Sequence, residues 1–273
     1  MIANSDIPVF VVNAFTDTLF GGNPAAVVET NVALSDAAMQ SIAQQHNLSE
    51  TAFLVGTGSD QFNLRWFTPT KEVLLCGHAT LAAAFAMDYV FRWVGERLIF
   101  DTASGPLYVT RDKGRYLIEF PAVFMVEVET PASIEEALGC PVVRSFQPAS
   151  GAWQMVCELE DEAAVKACSP DFAALSSATD LGVSITALGS DVDYVSRFFI
   201  PQLGINEDPV TGSAHCQLVP LWSERLLKPS LVARQISARG GELSGALHGD
   251  RVVLAGHCCL FSEGRIFLPS ELR

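Results

Sequence analysis

The chain has 273 residues, with 17 basic and 31 acidic side chains for a net charge of −14, and 49% of its residues are hydrophobic against 18% charged. A chain this apolar offers more surface to bury than its ordering entropy demands, which excludes disorder, and an acidic balance with no Lys/Arg run excludes a general nucleic-acid binder. No apolar run reaches the roughly 18 residues of a membrane span, and the opening MIANSDIPVFVV lacks a signal peptide's basic region and apolar core, so a soluble cytoplasmic protein with no membrane partner is expected.

In chain order, Phe10-Val11-Val12 reads as a strand, followed by the turn Gly21-Gly22-Asn23-Pro24 and a second strand Ala25–Val28. Ser35 is a good N-cap for the next helix, with Leu34 placed to staple onto Met39. Met39, Ile42, Ala43 and His46 share a face of it, and Asn47 suits a left-handed C-cap. Thr51–Val55 and Phe62–Phe67 return as strands. The run Ala79–Tyr89 is apolar nearly all round, so it predicts a helix through the middle of its domain, wrapped by strands. The stretch 120–131 reads as a crossover. A matching apolar helix is predicted over Ala214–Leu226, with Pro220 as a kink.

The two helices belong to an internal repeat. Arg65-Trp66-Phe67-Thr68-Pro69 resembles Arg197-Phe198-Phe199-Ile200-Pro201. Cys76-Gly77-His78-Ala79-Thr80 enters one apolar helix as Thr211-Gly212-Ser213-Ala214-His215 enters the other. Ser104–Val109 and Lys113–Ile118 are matched by Gly240–Gly245 and Gly249–Leu254. The offsets are 132, 135 and 136 residues, half the chain length. The fold class expected is α+β: two pseudo-symmetric halves, residues 1–120 and 121–273, each a mixed, mostly antiparallel sheet around a central helix. The last strand, near 264–273, is a candidate to return to the first half. A site in the cleft between halves is expected, where the Gly77 and Gly212 turns would present two helix N-termini to an anion. The competing reading is that these glycines only allow close helix packing.

Seven cysteines (76, 140, 157, 168, 216, 258, 259) include no C-x-x-C, and five histidines no H-x-x-x-H. Adjacent His215-Cys216 and His257-Cys258-Cys259 do not share a face in a strand, so buried reduced thiols and no metal are expected.

The blocks Gly22–Val28, Asn47–Phe53, Arg65–Pro69, Cys76–Ala82 and Glu207–Cys216, in this order, resemble the signatures of the PhzF (phenazine biosynthesis-like) family. The resemblance runs from near residue 10 to 256, and Asp208-Pro209-Val210-Thr211-Gly212-Ser213-Ala214-His215 is its most specific block. It implies the diaminopimelate epimerase-like fold, a homodimer, no cofactor, and an isomerase that moves a proton between ring carbons of a dihydro-hydroxyanthranilate or another small carboxylate. It places Glu50 as the proton carrier and His78 and Asp208 beside it. Gly77, Gly212, Ser213, Cys76 and Asn23 become the substrate-binding positions. One departure is Asn13, where the family's first strand usually has Asp.

The residues read by themselves agree with those roles and leave alternatives. Burial would tune Glu50 as a base, and a nearby Asp208 would raise its pKa further; a solvated junction carboxylate is the bland reading. His78, at a helix N-terminus, is expected to have a lowered pKa and to stay neutral. Asp208 before Pro209 could serve as a turn former. A two-thiol epimerase would need a partner for Cys76, yet Ser213 and Ala214 stand where the opposing thiol is expected. A one-thiol epimerase using Cys76 and a non-catalytic small-molecule-binding module remain as alternatives.

Overall fold

Two units divide the chain in this computed structural model, which describes residues 5–93, 95–149 and 154–269. One joins Met1–Glu119 with Ala255–Arg273, and the other is Phe120–Leu254.

The first unit carries β1 (Ser5–Ala14), β2 (Asn23–Thr30), α1 (Asp36–His46), β3 (Glu50–Gly56), β4 (Gln61–Phe67), β5 (Glu72–Val73), α2 (Gly77–Phe91), β6 (Arg97–Thr102), β7 (Gly105–Asp112) and β8 (Arg115–Pro121). From the far end of the chain it takes β18 (Cys258–Leu268). Ser35 caps α1 by accepting from the Ala38 amide, and Asn47 ends it at φ 50°. Between these caps Ala38, Met39, Ile42 and Ala43 pack on Ile7, Val9, Ala26, Val28 and Phe53, which fixes α1 on one face of the sheet. On α2, Ala79, Leu81, Ala82, Ala83, Ala84 and Ala86 are all fully buried, and the helix packs against β1, β2, β3 and β18. Its run of alanines lets strand backbones approach closely. A two-residue turn with Lys113 and Gly114 both at positive φ joins β7 to β8, the geometry that suits the strands' right-handed twist.

The second unit carries β9 (Met125–Val128), α3 (Ala132–Leu138), β10 (Arg144–Pro148), β11 (Gln154–Glu158), α4 (Glu162–Ala167), α5 (Phe172–Ala178), β12 (Gly182–Leu188), β13 (Tyr194–Ile200), β14 (Ile205–Asp208), α6 (Gly212–Leu226), β15 (Ser230–Gln235), β16 (Gly241–His248) and β17 (Arg251–Gly256). Here α6 is buried without a break from Ala214 to Ser223, and it continues past Pro220 to Leu226.

The two units repeat one topology. β1–β2 is antiparallel, β2–β3 parallel, β3–β4 and β4–β5 antiparallel, β4–β6 parallel and β6–β7 antiparallel. The same sequence of pairings runs β10–β11, β11–β12, β12–β13, β13–β14, β13–β15 and β15–β16. Register agrees as well: Thr51 faces Phe67 as Val183 faces Phe199. Arg65 grips Glu72 through two hydrogen bonds of 2.7 Å and lies 5.2 Å over Phe67. Arg197 grips Glu207 at 2.8 and 3.0 Å and lies 5.0 Å over Phe199.

Two details differ from the sequence expectation. The stretch 120–131 holds β9, which pairs with β10 as β18 pairs with β1. The returning strand, Cys258–Leu268, begins earlier than the expected 264, because ten-residue β1 is matched along its whole length, from Ser5 opposite Leu268 to Ala14 opposite Cys258; residues 270–273 of that expectation lie outside the described residues. Among the described residues no helix is long and apolar enough to cross a membrane.

Candidate active site

In the first unit the starts of β2, β3 and α2 converge. Parallel pairing sets Ala25 beside Glu50, so Asn23 and Glu50 open adjacent strands, and α2 begins at Gly77 with His78 in its first turn. His78 Nε2 lies 3.1 Å from Glu50 Oε2, with the side chains 7% and 15% exposed. The Asn23 amide nitrogen stands 3.3 Å from His78 Nδ1, and Cys76 Sγ lies 3.5 Å from the same atom. Glu50 Oε2 is buried and faces His78 Nε2 as its ion-pair partner.

Burial drives the His78 pKa down, but Cys76 and Glu50 drive it up and win, leaving it well above the ordinary histidine value. This direction is opposite to the lowered value expected from the sequence, because Cys76 and Glu50 together outweigh burial. Burial, then the Glu50 charge, pushes the Cys76 thiol to about 11, although His78 and the Ala79 amide pull the other way. Cys76 is thus a thiol at neutral pH, and the nearby Glu50 favours the protonated form of His78. Ligand-type atoms of Glu50, Cys76 and His78 also lie within 4.8 Å of one another, so among the described residues these three could hold a metal ion. Binding there would require displacing the protons of His78 and of the high-pKa thiol.

In the second unit Asp208 ends β14, 9% exposed, and its Oδ2 accepts a 2.5 Å hydrogen bond from Thr211 Oγ1. Buried Gln235 ties this corner together, donating to the Asp208 carbonyl at 2.7 Å and accepting from the Thr211 amide at 2.9 Å. Ser213 Oγ accepts from Gln154 Nε2 at 3.1 Å, and Gln154 Oε1 accepts from Gln217 Nε2 at 2.6 Å. The sequence reading missed Gln154, Gln217 and Gln235. Their signal was a fully or nearly fully buried amide in an otherwise apolar segment, visible only once burial is known.

Gly77 and Gly212 open α2 and α6, and neither helix has a side-chain cap; by contrast Ser35, Asp161 and Asp171 cap α1, α4 and α5. First-turn amides without a capping side chain, backed by a 15-residue dipole, favour an anion. The residue before α6 that corresponds to Cys76 is Thr211, not Ser213 or Ala214, and its hydroxyl is given to Asp208. Asn13, where an Asp was usual in the resemblance, is buried and donates to the Leu19 carbonyl at 2.7 Å, which closes the loop ahead of Asn23.

The sequence model of the PhzC–PhzF family, described as phenazine biosynthesis-like protein, matches residues 12–264. The chain belongs to the phenazine biosynthesis-like family. It is 51% identical to the uncharacterized isomerase PA3578 of Pseudomonas aeruginosa, over 94% of this chain and 97% of that one. The crystal structure of a PhzF-family protein from Enterococcus faecalis superposes with a TM-score of 0.92 at 42% identity, covering 97% of this chain and all of the other. A hydroxyproline epimerase from Agrobacterium vitis shares the fold at a TM-score of 0.63 and 11% identity, over 100% of this chain and 95% of that one. The fold is thus the α+β, epimerase-like fold of the PhzF family, and the chain is an isomerase. Within that family fold, only the first unit carries a carboxylate at the start of the parallel strand. By register the position equivalent to Glu50 is Gly182, where a Cβ would meet Phe198 Cζ at 2.4 Å.

Proposed function

We propose that this PhzF-family protein is a cofactor-independent isomerase that moves a proton between carbons of a small carboxylate substrate, with Glu50 carrying the proton. The observation that bears most weight is Glu50 Oε2, buried and 3.1 Å from His78 Nε2. A buried carboxylate beside a group that can balance its charge is suited to carry a proton. In the proposed step the C–H proton passes to Glu50 and the electron pair stays on the substrate as an enolate-type anion. Protonated His78, no longer facing a charged Glu50, then neutralises that anion. Glu50 returns the proton to a second carbon on the same face, so the shift is suprafacial. The amides of the first turn of α2 at Gly77 would hold the substrate carboxylate in this reading, with Cys76 and Asn23 beside His78. Asp208, Gly212 and Ser213 are proposed to serve the same reaction from the second unit. A homodimer and a cytoplasmic location accompany this reading; light scattering and cell fractionation check them.

The test is incubation with dihydro-hydroxyanthranilate in D₂O, followed by NMR. Wild type should turn over with deuterium entering the product, and Glu50→Gln should lose about 10²- to 10⁴-fold in rate. Absence of both turnover and exchange in wild type would reject that substrate; a Glu50→Gln enzyme as active as wild type would reject the mechanism. The one-thiol epimerase reading is disfavoured by a Cys76 thiol held at about 11. Activity lost in Cys76→Ser but kept in Glu50→Gln would restore it.

A further inference from the structure

The second unit contains a pair of thiols that the proposed reaction does not use. Cys140 lies just after Gly139, the left-handed C-cap of α3, and Cys168 is the C-cap of α4. Their sulfurs are 3.1 Å apart, with Cys140 placed to donate to Cys168 and Cys168 to the Leu138 carbonyl at 3.3 Å. A lone pair of the Cys168 sulfur therefore points at the Cys140 sulfur, the alignment from which an S–S bond forms. The two residues are unequal in access. Cys168 is 5% exposed, whereas Cys140 is half-buried and reachable from solvent.

They are also unequal in freedom. The Cys168 amide donates to the Ala164 carbonyl at 3.0 Å, and its carbonyl accepts from Arg197 Nη1 at 2.6 Å. Arg197 is itself clamped on Glu207. Cys140, between a left-handed glycine and Pro141, is the partner positioned to close the remaining distance of roughly 1 Å to a disulfide bond length. Burial, then Cys140, hold the Cys168 thiol well above its ordinary value, with the nearby Arg197 charge opposing only in part, so the pairing rests on the 3.1 Å sulfur geometry. Neutral Cys157, fully buried on β11 and bonded to Ser145 Oγ, belongs to the same core but has no path to solvent.

We propose that Cys140 and Cys168 are a reversible redox pair, with Cys140 the attacking thiol and Cys168 the resolving one, oxidised by a small-molecule disulfide. In the first step the Cys140 thiolate attacks one sulfur of the oxidant, forming a mixed disulfide and expelling one thiol of the oxidant. In the second, the Cys168 thiolate attacks the Cys140 sulfur and expels the other. Two electrons and two protons pass from the protein to the oxidant, which is reduced to two thiols. This modification is independent of the isomerase reading, since neither residue belongs to the Glu50 cluster.

The experiment treats the folded full-length protein with glutathione disulfide, follows folding by circular dichroism, traps remaining thiols under denaturing conditions and maps peptides by mass spectrometry. The expected result is a Cys140–Cys168 linked peptide, two hydrogen masses lighter than the free pair and released by dithiothreitol. Cys140→Ser should abolish it, and Cys168→Ser should leave glutathione on Cys140 with no route to resolution. The proposal is overturned if wild type stops at glutathione on Cys140, if Cys140 links to Cys157 instead, if the thiols stay unmodified while folded, or if linkage occurs only after unfolding.

Discussion

Gly182→Ala tests why the duplicated fold carries this strand-opening carboxylate on one side only. A Cβ at Gly182 would lie 2.4 Å from Phe198 Cζ, 2.9 Å from its Cε2 and 3.5 Å from Ile200 Cδ1. Ordinary carbon contacts start near 3.4 Å, so the ring of Phe198, itself 3% exposed, must retreat by roughly 1 Å into neighbours that are already packed. Overpacking of this kind costs about 1–3 kcal/mol, and replacing glycine with alanine at an unstrained φ returns about 0.4–1 kcal/mol through the unfolded state. The net loss expected is about 1–2 kcal/mol, read as a fall of roughly 2–8 °C in Tm. The decisive assay is a double-mutant cycle with Phe198→Leu, which removes the clashing ring atoms. Gly182→Ala should cost little in that background, giving a coupling energy of about 1 kcal/mol or more. Equal cost in both backgrounds would refute the steric account of the missing second carboxylate.

Two pH predictions follow from the buried histidines, with opposite signs. His78 has a raised pKa, so the folded state binds its proton more tightly than the unfolded state; the resulting stabilisation is full below the unfolded value near 6.5 and is lost as pH rises through the folded value. Ring nitrogen NMR should show His78 protonated at pH 7 in wild type and neutral in Glu50→Gln; an unchanged ring in the variant would contradict the electrostatic pairing. His215, pushed down to about 3 by burial with Gln235 opposing, binds its proton more weakly when folded. Its contribution is intact above pH 6.5 and is lost as pH falls toward 3, roughly 5 kcal/mol at full extent. His215→Gln should therefore flatten the decline of the urea midpoint between pH 6 and pH 4, and an identical slope would reject the assignment.

Local chemistry was legible in the sequence, and long-range pairing was not. Ser35 and Asn47 act within four residues of themselves and cap α1 as read. The repeated Arg-x-Phe of β4 and β13 pointed to duplication, and each copy proves to be a guanidinium stacked on its own strand's phenylalanine and clamped by the next strand's glutamate. The apolar helices were read from Ala79 and Ala214 but start two residues earlier, because Gly77 and Gly212 carry no periodic signal. The upward shift of His78 was not legible because one of its causes, Glu50, lies 28 residues away in sequence. The amides of Gln154, Gln217 and Gln235 look in sequence like any polar residue, and four-residue β9 is too short to stand out from a connector.

The pairing of β1 with β18 also orders the way the molecule is made. Val9 must find Gly264 and Phe10 must find Glu263, some of the most distant partners the chain offers, whereas Phe120–Leu254 is continuous. During synthesis the second unit therefore has all its strands before the first has its last one, and its closure does not wait for distant chain. Glu50, Cys76 and His78 emerge early, yet the sheet beneath them is completed late. Until then β1 shows an open edge rich in valine, the kind of surface that recruits other chains. A chain cut short after β17 would hold every residue of the candidate site and still carry that edge, so its failure would be seen as aggregation before it was seen as lost chemistry.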